Sequence, residues 1–526
     1  MRFLRGLYPL IAVLILVLPG CGESNNSGPS AGSETADQVL RVAFAEPIGV
    51  LNPQAFTGHF MALDMVYEPL VRYGPNGVAL PALAESWDFN EDGTEVVFHL
   101  REDVKFHDGT EFNSEAAKWN LERWVGVPDY SFLRSSLLIS KIETPDELTL
   151  VLTLDHPYGP LLGELSLNRP VRFLSPNSVD DKGQYQAPVG TGPWRVTAVS
   201  DTSGTFERFD DYWGEKPSFE RVETKLIPDS QTRLSALRSG EVDLLGGGYM
   251  APIGAVEAEN IQQNAELELY RGAADTTLLL GFNPNSSLLD SEVRTAINLA
   301  VDSEAISKVL YGDDAVTAAG LFPPSIPNAL ANMPAKFDLN QARATLDEAG
   351  WKLEGRGRVR DDHDLVLKML LIGDAAHGQG DSRNAGQAIA DSLSQIGITV
   401  TIESLDGPAY FDALTAGNYD LAFFNTYGAP YDPPGTVAAF LQSGGGEAPI
   451  WIDDVLENLV AQALSNSDEA NEAVAYVAIF DHLVEAKALV PITHPPRYYA
   501  TASRVVDFVI PPSEYEFPWR GLALRP

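Results

Sequence analysis

Apolar residues fall at every second position in two short stretches of this chain. Leu148, Leu150, Leu152 and Leu154 alternate with Glu147, Thr149 and Thr153, and Ile398, Val400 and Ile402 alternate with Thr399 and Thr401. A period of two marks a half-buried strand. Other stretches run at helical spacing. Ala117, Leu121 and Trp124 share a face over 113–124, where Asn113 or Ser114 can cap the helix. Val293, Ile297 and Ala300 do the same over 290–301 behind Asp290. Leu339, Ala342 and Leu346 follow over 338–350, between Asp338 as cap and Gly350 as stop. Loops rich in Gly and Pro lie at 186–194, 322–327, 428–435 and 443–449. Strand and helix patterns mix throughout without an internal repeat, which predicts α/β domains.

The length of 526 residues exceeds what one hydrophobic core supports and predicts two or three domains. The N-terminus adds a compartment. Arg2 and Arg5 precede an apolar run, Leu7 to Leu18, that is too short to span a bilayer. The run ends in Leu18-Pro19-Gly20-Cys21, which resembles a bacterial lipobox. Residues 1–20 are thus expected to be a signal peptide, and Cys21, the single cysteine, a lipidation site. Residues 21–37 hold this cysteine and a Gly-, Ser- and Asn-rich stretch expected to act as a flexible tether. The implied location is periplasmic or cell-surface, with the membrane reached through the lipid. A net charge of −37 repels nucleic acid, so no nucleic-acid partner is expected.

Catalytic patterns are sparse. The chain has no Gly-x-Ser-x-Gly elbow after a strand (Gly28-Pro29-Ser30-Ala31-Gly32 lies in the Gly- and Ser-rich tether), no His-Glu-x-x-His, no P-loop and no dinucleotide fingerprint after a strand. Pro193 in Gly190-Thr191-Gly192-Pro193-Trp194 removes a donor that a phosphate cradle needs, which favours a tight structural turn. Asp361-Asp362-His363-Asp364 sits between a Gly-rich stretch and an apolar one and reads as a hairpin turn rather than a metal cluster. No enzyme activity and no resident cofactor are expected. Two histidines are candidates for ligand or metal contact. His494 follows the apolar Val490-Pro491-Ile492-Thr493, and His59 lies in an early loop with Phe56, Phe60 and Met61. Tyr427 and Tyr431 frame a Pro-rich loop and offer flat faces with a polar tip. Arg169 and Arg172 follow an apolar stretch, and a guanidinium suits bidentate capture of a carboxylate. Either arginine is equally placed for a structural salt bridge.

Several segments together carry a resemblance. They are Met65-Val66-Tyr67-Glu68-Pro69-Leu70-Val71, Leu83-Ala84-Glu85-Ser86-Trp87, Val104-Lys105-Phe106-His107-Asp108-Gly109, Gly190-Thr191-Gly192-Pro193-Trp194 and Tyr212-Trp213-Gly214. Their order and spacing resemble family 5 extracellular solute-binding proteins, the oligopeptide, dipeptide and nickel receptors of ABC importers. The resemblance implies a two-lobed, periplasmic-binding-protein-like α/β fold of type II, in the large cluster with an extra subdomain and a hinge between lobes. It places lobe I with the extra subdomain at 38–272, lobe II at 273–490, and a return to lobe I at 491–526. The implied partners are an ABC permease and ATPase, and the implied state is a monomer.

Within the family the chain is most similar to the nickel-receptor branch, which takes nickel as a small-molecule chelate. The resemblance puts Arg169 at the carboxylate clamp, Tyr431 and Met61 at the pocket, and Tyr427 and Phe132 where that branch has tryptophans. Phe56 and His494 complete the expected ligand contacts, with His494 and His59 as candidate metal ligands. The sequence departs from the branch at Leu441 to Glu447, a shortened loop without histidine, and at Asp129 to Ser131, where a second clamp arginine is missing. A nickel chelate is the favoured cargo and a dipeptide or oligopeptide the alternative. For a peptide, Asp432 is the candidate partner of the free amine. A secreted hydrolase on the same tether, and a surface interaction or chemosensory protein that uses the receptor fold without an importer, are the rival readings.

Overall fold

The computed structural model describes residues 38–525 except Phe56, 330–335, 373–380, 444–447 and 466–468. The signal peptide, Cys21, the tether and Phe56 therefore lie outside the described residues, as does part of the shortened loop.

Two large sheets organise the chain. The first has seven strands in the order Leu267–Gly272, Arg497–Ala502, Leu244–Gly246, Val39–Phe44, Arg221–Leu226, Ser203–Arg208 and Trp194–Val199. The second has five, Thr399–Leu405, Val366–Ile372, Leu421–Asn425, Leu278–Phe282 and Leu489–Thr493. A separate four-stranded antiparallel sheet, Ala84–Phe89, Glu95–Leu100, Thr149–Leu154 and Ile139–Asp146, forms a subdomain inside the first lobe. The architecture is two-lobed α/β, as expected. The chain passes between the large sheets twice, at 273–277 and at 494–496. Leu489–Thr493 pairs with Leu278–Phe282 in the second sheet.

Local chemistry explains most elements. Thr149–Leu154 is a strand, and Leu150, Leu152 and Leu154 are buried in the subdomain core. Each fully buried leucine contributes roughly 1.5–3 kcal/mol. Ile398–Ile402 fares differently. Ile398 is buried, Val400 is half-buried and Ile402 is exposed, because Thr399–Leu405 is an edge strand whose far end leaves the core. Asn113, Asp290 and Asp338 each accept backbone N–H groups at the starts of their helices. Asp361 and Asp362 both adopt positive φ, 53° and 62°, in the two-residue turn between paired Arg360 and His363. This is a hairpin turn.

The motifs that are far apart in sequence form one structural knot. Glu68 is buried and accepts hydrogen bonds from Thr191 Oγ1 (2.9 Å), Tyr212 Oη (2.7 Å) and Trp213 Nε1 (2.8 Å). Burial pushes its carboxyl pKa up, and these three bonds hold it down. A side chain at Gly190 or Gly192 would run into the carbonyl oxygens of Val66 and Met65, so only glycine permits this approach. His107 Nε2 lies 2.8 Å from the Gly192 carbonyl oxygen. The Gly190–Trp194 segment is a packing turn.

Candidate functional site

Arg169 lies beside aromatic side chains contributed by both lobes. Its guanidinium lies 3.9 Å from the centroid of Phe60, the first residue of the helix Phe60–Val66. A cation over an aromatic face contributes about 0.5–2 kcal/mol and fixes the plane of the fork. Burial pulls the Arg169 pKa down, while the phenols of Tyr431, Tyr515 and Tyr249 push it up. These tyrosines form the rest of the wall. Tyr515 packs against Phe60 (4.8 Å), Tyr249 (4.5 Å) and Tyr431 (4.7 Å), and Tyr427 meets Tyr431 edge-on at 6.0 Å. Tyr427 and Tyr431 follow the strand Leu421–Asn425 of the second sheet, whereas Phe60, Arg169, Tyr249 and Tyr515 come from the first lobe. The site is thus built from both sides of the cleft.

The tyrosine loop is held by its own carboxylate. Asp432 Oδ2 accepts from Gly428 N (2.7 Å) and Oδ1 from Thr436 Oγ1 (2.5 Å). Gly428 has φ +79°, a conformation that favours glycine. Burial raises the Asp432 pKa to about 7. Its oxygens serve the turn, which removes the candidate amine partner of the peptide alternative.

The two arginines separate clearly. Arg172 is buried and bonded to Tyr67 O, Leu167 O and Asn168 Oδ1, with Asp64 at 3.0 Å. It is structural, and Arg169 faces the tyrosines.

The remaining candidates scatter. Met61 is 1% exposed and lies in the core beneath the seven-stranded sheet. Phe132 is 44% exposed, just after the short helix Pro128–Tyr130. His59 is buried and stacks on Phe44 at 4.1 Å. His494 is buried in the return crossing, and its Nδ1 lies 2.9 Å from Thr277 Oγ1 of the outward crossing. Burial pushes its pKa down to about 4. Among the described residues, no three His, Cys, Asp or Glu side chains gather around a possible metal position. Phe60, Tyr249 and Tyr515 were not among the sequence candidates. Phe60 stood beside His59 in the early loop, but no spacing links it to Arg169.

The His494 geometry gives a testable result. A histidine whose folded pKa lies below its unfolded value binds fewer protons when folded, so stability falls as pH drops from about 6.5 towards 4. Nitrogen-detected NMR of His494 is expected to show a neutral ring at pH 5.5, with a midpoint near 4. A midpoint above 6 would contradict the burial argument.

Two large sheets joined by two crossings, with an arginine and a tyrosine cluster contributed from both sides, are the architecture of a two-lobed solute receptor. Residues 79–448 match the family described as bacterial extracellular solute-binding proteins, family 5. The chain is 31% identical over 483 residues to the nickel-binding periplasmic protein of Escherichia coli K12, covering 87% of this chain and 89% of that one. It is 26% identical over 526 residues to di/tripeptide-binding protein 2 of Pseudomonas aeruginosa, covering 92% and 94%. Among solved structures, NikA from Brucella suis in complex with Fe(III)-EDTA superposes with a TM-score of 0.85 at 30% identity, covering 93% of this chain and all of that one. The chain belongs to the family 5 solute-binding proteins, the substrate-binding components of ABC importers. Proteins of this family deliver ligands to an ABC permease and ATPase. No helix among the described residues is long and apolar enough to cross a membrane.

Proposed function

We propose that this protein captures nickel as a chelate with a small polycarboxylate or amino acid and passes it to its permease. The observation that carries this reading is Arg169, its guanidinium plane set by Phe60 and ringed by tyrosines from both lobes. Such a fork meets a carboxylate in two parallel charge-assisted bonds, and the flat walls suit the faces of a compact chelate. The similarity to a nickel-binding relative at 31% identity and to a receptor holding Fe(III)-EDTA supports the same class of cargo. A chelated metal arrives with most of its coordination filled, so the protein need add few ligands. His494, neutral and in the return crossing, is the candidate for one, and His59 the second. The protein acts as a carrier without turnover. It works as a monomer, exported and held to the membrane through Cys21.

A dipeptide or oligopeptide remains the second reading, favoured by the similarity to the Pseudomonas receptor. Calorimetric titration separates the two. Nickel(II) with histidine or citrate, and iron(III)–EDTA, are expected to bind, and nickel(II) alone to bind far more weakly. Tight binding of dipeptides with no chelate binding would overturn the proposal.

A further inference from the structure

Besides the two crossings, and the contacts of Arg271 and Tyr498 with Asp314, a segment of the first lobe reaches the second. It is Pro511–Phe517, near the C-terminus. On the first lobe it is firmly held. Arg497 donates to Pro511 O (2.5 Å) and Pro512 O (3.4 Å), and also to Asp275 Oδ2 (3.1 Å) in the outward crossing. Asn168 Nδ2 donates to Tyr515 O (2.9 Å), and Phe517 N to Asp64 Oδ2 (2.9 Å). Towards the second lobe its contacts converge on one loop. Ser513 Oγ donates to Ala429 O (2.6 Å) and Tyr515 Oη to Tyr427 O (2.8 Å), while the Tyr515 ring covers Tyr431. A carbonyl only accepts, so the single Tyr515 hydroxyl proton goes to Tyr427. The 2.8 Å contact between Tyr249 and Tyr515 hydroxyls must then run from Tyr249 to Tyr515.

We propose that Pro511–Phe517 is a strap that sets how far the cleft rests closed before ligand enters, with Tyr515 as its positioning residue. The strap grips the loop that carries the lobe II wall of the site and holds it against the Arg169 wall. A ligand that needs both walls finds them already in register, and the strap's bonds add to the stability of the closed state. Only the binding arm of this proposal rests on the reading of the Arg169 pocket as the ligand site. Resting closure is independent of the cargo.

One buried neutral hydrogen bond shifts an equilibrium by a few-fold to about tenfold. The test uses the full chain with Cys21→Ser and spin labels at Val199→Cys on the first lobe and Val455→Cys on the second, both exposed positions. Inter-label distances are measured by pulsed electron resonance without ligand. Tyr515→Phe keeps the ring and loses the donor. It is expected to raise the open-to-closed ratio by that factor. Ser513→Ala should move it the same way. In stopped-flow experiments with nickel(II)–histidine, Tyr515→Phe is expected to speed dissociation by a similar factor. Distances in Tyr515→Phe and Ser513→Ala that match the parent protein would overturn the strap. Shifted distances with no chelate binding by the parent would support the strap and overturn the cargo reading.

Discussion

Replacing Arg169 by alanine is expected to weaken capture of iron(III)–EDTA or nickel(II)–histidine by about thirtyfold or more. Loss of one partner from a buried charge-assisted pair costs roughly 2–5 kcal/mol, and 1.4 kcal/mol is tenfold. The deficit should lie in affinity and not in folding. Arg169 is only partly buried, and its contact with Phe60 contributes about 0.5–2 kcal/mol at most. Arg169→Lys should fall between parent and alanine, because an ammonium keeps the charge and loses the fork. Calorimetry of the three proteins, with a thermal melt of each, checks this. An alanine variant that binds within twofold of the parent would remove Arg169 from the site.

The second large effect concerns stability. Arg497 is buried between Asp275 and Glu514, at 3.1 Å and 3.9 Å. Burial raises the pKa of both carboxyls, and the guanidinium is the group that lowers them. Arg497→Ala leaves two buried carboxyls without that cation and frees the carbonyls of Pro511 and Pro512. Breaking a buried pair from one side costs about 3–5 kcal/mol. The sign of the pH dependence follows. A carboxyl whose folded pKa lies above its unfolded value binds more protons when folded, so stability rises as pH falls through that interval. Removing Arg497 widens the interval. The deficit is therefore expected to be larger at pH 8 than at pH 6 in the midpoint of urea unfolding. Equal deficits at both pH values would contradict this account.

Much of the fold was legible because its signals are local. A cap at Asp338, a leucine alternation at 148–154 and an Asp-Asp turn at 361–362 each act within a few residues. Ile402 misled, since period-two spacing reports a pleat and cannot tell a central strand from an edge. Part of the candidate site could be proposed from the sequence. Arg169, Tyr427 and Tyr431 follow from residue type, loop context and family resemblance. Phe60, Tyr249 and Tyr515 lie hundreds of residues apart along the chain and meet only through tertiary packing. Asp432 and Arg172 had the right chemistry for ligand contact, but backbone and side-chain partners already occupy them. Residue type alone does not reveal such prior engagement.

The placement of Arg497–Ala502 has a consequence for how the molecule comes into being. This strand inserts between Leu244–Gly246 and Leu267–Gly272, while Val39–Phe44 lies next in the same sheet. Strands made before and after the whole second sheet thus share one surface. Contacts of such long sequence separation form slowly, because a large loop must close before they are rewarded. A nascent chain still short of residue 502 lacks the strand that joins the sheet's two parts, so its first lobe is finished only after the strands of the second sheet have been made.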